Sequence, residues 1–135
     1  MNTRFYTVVL LTLLMASTSL AGNNLSIRLV EAGNRKKASS SGVPDVISIL
    51  KKSFSYNSYN LTASGRMTLP AKKSTQKLGE YVVTCSGKQK NLSIRVMHNN
   101  KTIINTTVSL HDNKPVMVGG FPAKNGEFIL VFIAK

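Results

Sequence analysis

Few side chains in this sequence could move a proton, carry a covalent intermediate or hold a metal. There is one cysteine, Cys85, two histidines, His98 and His111, and five carboxylates, Glu31, Asp45, Glu80, Asp112 and Glu127. A nucleophilic thiol needs a base beside it. Cys85 instead follows Tyr-Val-Val-Thr in a run that reads as a strand, where the expected role is a buried small hydrophobe. His111-Asp112 has the composition of an acid–base dyad, but adjacent residues of a strand project to opposite faces. His98 and His111 flank the two ends of segment 101–111. About 33 Å of strand then separates them, too far to share a metal within one hairpin. No two carboxylates are spaced as a paired acid and base. The sequence therefore predicts no catalytic residue, no metal ligand, no cofactor and no enzyme.

Two other features could bind rather than react. Gly119-Gly120 invites comparison with a phosphate cradle, yet that motif needs wider glycine spacing and a Lys-Ser/Thr pair opening a helix. Without them the pair is expected to be a structural corner, where a strand bulges or bends without a side-chain penalty. The second feature is charge: 18 Lys and Arg stand against 5 Asp and Glu. Such a balance attracts polyanions. The candidate polyanion patch is Arg35, Lys36, Lys37, Lys72, Lys73, Lys77, Lys88 and Lys90, mostly in expected loops. The absence of Trp weakens any reading that needs bases or sugars stacked on aromatic rings.

The elements that must carry these residues follow from periodicity. "NLSIRLVEA" (24–32) alternates Leu25, Ile27 and Leu29 with Ser26 and Arg28, as a half-buried strand does. Residues 35–41, basic and Ser-rich, are expected to form a mobile loop. "VPDVISILKKSF" (43–54) reads as the one helix. Pro44 suits its first turn, Asp45 the positive end of its dipole, and Lys51 and Lys52 the negative end. Val46, Ile49, Leu50 and Phe54 would form its apolar face. Residues 56–70 are extended, with a turn at Ser64-Gly65, and 71–79 are polar enough to read as loop. Strands follow at 80–85, 91–98, 101–111, 114–120 and 127–134, with tight turns at Asn99-Asn100 and Asp112-Asn113. The expected fold is mainly β, an antiparallel meander forming a β-sandwich or half-barrel, with one short helix near the first strand. The final "FILVFIA" lacks polar alternation, so it is either a central strand covered on both faces or one awaiting a partner. Phe128, Leu130 and Phe132 are its candidate interaction residues.

The N-terminal stretch carries Arg4, an apolar run from Phe5 to Met15 and Ser19-Leu20-Ala21, the pattern of a secretory signal peptide spanning 1–21. Residues 22–135 are then one exported domain, secreted or periplasmic, with no integral membrane span after cleavage. A single cysteine excludes an internal disulfide, which favours a bacterial envelope over a eukaryotic secretory route. Asn24, Asn60, Asn91, Asn100 and Asn105 each begin an Asn-x-Ser/Thr triplet. A chain rich in these residues generates such triplets by chance.

"NTTVSLHDNKPVMVGGF" (105–121) resembles a segment of bacterial secretins, in which a strand of Thr and Val leads through an Asp-Gly-x-Pro-Val turn to a Gly-Gly pair. The matching positions are Thr106, Thr107, Val108, Asp112, Pro115, Val116, Val118, Gly119 and Gly120. The strand and "DVISILKKSF" that open the chain are similar to the strand–helix–strand openings of secretin periplasmic domains. This chain is far shorter than a secretin and lacks the long membrane-inserting β-region. The resemblance implies a small envelope protein acting beside a secretion or pilus apparatus. Two functions are therefore expected. The first is a structural or assembly module docking on an envelope protein through a strand edge or apolar face. The alternative is a basic module for acidic glycan or lipid surfaces; export disfavours nucleic acid.

Overall fold

A computed structural model describes residues 23–135, and the predicted signal peptide lies outside the described residues. The elements are β1 (Asn24–Gly33), β2 (Ser39–Ser41), α1 (Ile47–Ser53), β3 (Ser58–Thr68), β4 (Ala71–Leu78), β5 (Tyr81–Lys88), β6 (Asn91–His98), β7 (Lys101–Val108), β8 (Val116–Ala123) and β9 (Gly126–Ala134). They form two sheets, ordered β2-β3-β1-β9-β8 and β4-β5-β6-β7. The sheets pack as a sandwich and do not close into a barrel.

The second sheet is the expected meander. Leu92, Ile94 and Val96 alternate inward, each with no exposure. Asn99 and Asn100 both take positive φ, 53° and 63°, the backbone that a two-residue hairpin turn requires. The first sheet is assembled from both ends of the described chain. β9 is apolar on both faces, so it takes a central place between β1 and β8. Leu130 and Phe132 fill the core between the sheets, with Leu25, Ile27 and Leu29 from β1 and Tyr81, Val83 and Cys85 from β5. Ile129, Val131 and Ile133 face the other way, onto a second core with Val30, Val43, Val46, Leu50 and Tyr59. Helix and preceding turn thus cover part of the first sheet's outer face, which is why Val30 is apolar where Ser26 and Arg28, on the same face, are polar.

Several local expectations give way. Segment 71–79 is strand, not loop: β4 pairs with β5 from Ala71↔Gly87 to Leu78↔Tyr81. Only Ala71 and Leu78 of it are buried, so an edge strand looks like loop in sequence. Ser64-Gly65 makes no turn, because β3 continues with Gly65 opposite Ile27. The helix begins at Ile47 rather than near Pro44, and Ile47 rather than Ile49 packs on the second core. Residues 35–41 are held in place. The Asn57 amide donates to the Arg35 carbonyl at 2.8 Å, its Oδ1 accepts the Arg35 N–H at 2.9 Å, and Ser39–Ser41 pairs with β3. Asp112-Asn113 belongs to a crossover between the sheets rather than a hairpin. β8 pairs with β9 and not β7, and the Asn113 N–H donates to the Ala134 carbonyl at 2.8 Å.

Candidate functional site

The last strand offers neither a free edge nor a free face. Phe128 is half-buried, Leu130 and Phe132 are fully buried, and β1 and β8 occupy both edges. As an interaction strand it is corrected by the topology: the doubly apolar run serves two cores instead of a partner. Gly119 and Gly120 form a bulge within β8, one of the two shapes expected of the pair. β8 pairs with β9 on both sides of it, from Val116↔Phe132 to Ala123↔Gly126, with a register shift between Gly119 and Phe121. A Cβ at Gly119 would meet the Phe128 carbonyl oxygen at 2.8 Å, and Gly120 holds φ at 97°.

The chemistry-bearing residues stay apart. Among the described residues no three His, Cys, Asp or Glu side chains converge. His98 stacks on Tyr81 at 4.9 Å and approaches Glu80 at 3.3 Å. Asp45 serves Arg28 rather than the helix dipole, in a two-pronged pair of 2.6 and 2.8 Å. That guanidinium holds the Asp45 carboxyl below the ordinary carboxylate value. Cys85 is fully buried, and burial pushes its thiol up to about 12. Asp112 and Asn23 are joined through Gln89. Its Nε2 donates to Asp112 Oδ1 at 2.7 Å and to the Leu110 carbonyl at 3.1 Å, while its Oε1 accepts from Asn23 Nδ2. This network lines a cleft of about 520 Å³ that also includes Lys88, Lys90 and His111. The polar side chains of Asn23, Gln89 and Asp112 are spent on one another, tying the crossover to the start of β1.

The expected basic patch divides. Lys88 ends β5 and Lys90 lies in the β5–β6 turn, and Lys72 and Lys73 lie beside them on β4, whose Ala71 pairs with Gly87. Arg35, Lys36 and Lys37 follow Gly33, at the opposite end of β1. Ten residues of strand, about 30 Å, separate the two groups. Lys77, paired with Val82, lies between them. Among the described residues Arg28 alone of the lysines and arginines pairs with a carboxylate.

The two sheets end in four edge strands, β2 and β8 in the first and β4 and β7 in the second, and β2 is only three residues long. On one side of the sandwich, β3 runs through Leu69-Pro70 directly into β4, and Gln76 Nε2 donates across the corner to the Arg66 carbonyl at 2.9 Å. β4 also carries Lys72, Lys73 and Lys77. On the other side lie β7 and β8. The bulge and Pro122 blunt β8, since both disturb the ladder that an added strand would need. β7 has no such protection beyond Ile103, which the register skips between Val96↔Ile104 and Met97↔Thr102. Ile103 is the one exposed large hydrophobe among the described residues, at 40%. Ile104–Val108 is then a regular stretch of about 17 Å without charge, Pro or Gly. Ile104 and Val108 face inward but are only half-buried, as are Val116 and Val118 of β8. The open side thus combines unpaired backbone with uncovered aliphatic surface. The sequence reading missed it; the signal was "IINTTV", β-branched and uncharged.

Comparison with known proteins returns no matching family model, no matching curated protein and no matching solved structure.

Proposed function

We propose that this protein is a non-enzymatic docking module of the bacterial cell envelope that receives an extended segment of a partner protein along β7. The observation that carries this reading is the unblunted edge at Ile104–Val108 beside half-buried Ile104, Val108, Val116 and Val118. An added strand would satisfy the free N–H and C=O groups of β7, and its inward side chains would cover those four residues. Buried backbone polar groups must be paired, which makes such pairing directional and register-specific. The partner segment is apolar at alternate positions and acidic elsewhere, because the described residues carry a net charge of +12. The same charge opposes pairing with a second copy. The signal-like N-terminal sequence supports the envelope setting. The secretin-like segment, which includes Thr106–Val108 of β7, supports placement beside a secretion or pilus apparatus.

Site-specific photo-cross-linking in the native envelope tests this reading. A cross-linker at Ile103 or Thr106 is expected to yield one discrete protein adduct, and the same group at Lys77 on β4, on the other side of the sandwich, none. Adducts from Lys77 alone, or none from β7, would overturn it.

A further inference from the structure

The outer face of the second sheet is covered by no other element among the described residues, and its side chains are unlike those of a solvated surface chosen at random. Inward Val83, Cys85, Leu92, Ile94 and Val96 send the alternate residues of β5 and β6 outward. The register aligns Thr75, Thr84, Arg95 and Asn105 in one row across all four strands. Ser86, Ser93 and Thr107 form the next row. Lys73 sits at the irregularity of β4 with φ of 53°. It joins Thr84, Ser86, Ser93, Arg95 and Asn105 around one depression of about 280 Å³. Neither Lys73 nor Arg95 has an ion-pair partner among the described residues. The five carboxylates lie off these rows: Glu31 on β1, Asp45 before the helix, Glu80 and Asp112 in connections, and Glu127 on β9.

We infer that this depression binds a sulfate or phosphate group carried by an acidic polysaccharide. The guanidinium and ammonium groups supply charge-assisted donors, and the three hydroxyls and the Asn105 amide supply neutral ones. A tetrahedral oxyanion uses all of these together. The hydroxyl row continues across the sheet, so a polymer lying along it finds further hydrogen bonds on either side. A planar membrane fits less well, because the remaining cations divide between opposite ends of the sandwich instead of sharing this face. The inference is independent of docking at β7.

The test compares Lys73→Gln/Arg95→Gln with Lys36→Gln/Lys37→Gln, which removes the same charge at the far end. Binding of a size-defined sulfated oligosaccharide is measured by calorimetry, with inorganic sulfate, inorganic phosphate and phosphatidylglycerol vesicles as separate probes. All four residues are exposed, and unchanged thermal unfolding verifies that each variant folds. The first variant is expected to lose about tenfold in oligosaccharide affinity, the second less than twofold, with inorganic sulfate or phosphate competing at the wild-type site. Equal losses in both variants would reduce the effect to diffuse charge. Unchanged affinity in the first variant, or binding of vesicles without binding of the oligosaccharide, would overturn the inference.

Discussion

Cys85 gives the packing between the sheets a titratable reporter. It lies on β5 opposite Ser74 and Ile94, fully buried, and burial moves its thiol from an ordinary 9.0 to about 12. At pH 8 about one native thiol in ten thousand is ionised, against about one in ten in the unfolded chain. The sign follows directly. The raised native value means that the unfolded chain releases its proton first as pH rises, so stability is fully present below pH 9 and is lost as pH approaches 12. The slope is about 1.4 kcal/mol per pH unit, which amounts to about 2 kcal/mol at pH 10.5. Cys85→Ala removes this term. Its packing loss is the same at every pH, and the raised Tyr56 and Tyr81 hydroxyls act equally in both chains. Denaturant unfolding, followed by circular dichroism, should therefore show the two stabilities converging by about 2 kcal/mol between pH 8 and pH 10.5. The native thiol should also resist aromatic disulfide reagents at pH 8 until denaturant is added. Parallel stability curves, or stoichiometric modification of the native protein within minutes, would refute the burial argument.

Three further outcomes follow from local geometry. Gly126→Ala places a Cβ 1.9 Å from the Ala32 carbonyl oxygen and 2.8 Å from Gly33 Cα, so it should cost about 3 kcal/mol or more in thermal unfolding by overpacking against rigid backbone. At Gly120 the nearest neighbour is the far end of Glu127 at 3.5 Å, and Gly120→Ala should cost only the left-handed backbone penalty of about 1–2 kcal/mol. Asp45→Asn should cost under about 1 kcal/mol at pH 7, because the Arg28 pair is partly exposed; since the native carboxyl is lowered, the difference from wild type should vanish as pH falls through that lowered value.

Much of this architecture was legible because alternation reports burial wherever one face of a strand meets a core. Leu92, Ile94 and Val96, the Asn99-Asn100 turn and the approximate place of the helix were all readable that way. β4 was not, because an edge strand with two buried residues has no apolar face to read. The role of the last strand hung on its neighbours: "FILVFIA" is the same string whether it awaits a partner or sits between β1 and β8 under a helix. Expected loop positions do not group charges in space either. Lys36 and Lys73 both read as loop cations, yet they lie at separate parts of the sandwich. Arg95, which shares a depression with Lys73, is inconspicuous inside an alternating strand. The inward set Leu92, Ile94 and Val96 already implied that Ser93 and Arg95 point outward. Nothing comparable announces a free edge, since that depends on which strands fold back beside β7.

The most direct measurement of the docking claim places a single lysine on that edge. Thr106 pairs with Ile94 and so faces inward on β7, yet it is exposed; an inward charge there blocks strand addition without burying charge in the isolated protein. Thr75→Lys on β4 adds the same charge to the opposite side of the sandwich. Capture of the envelope partner by wild type and each variant is compared at high salt, with unfolding temperatures in parallel. Docking at β7 requires that wild type and Thr75→Lys retain the partner, that Thr106→Lys loses it, and that all three unfold alike. Retention by Thr106→Lys, or loss of the partner from wild type as salt rises, would contradict docking at β7.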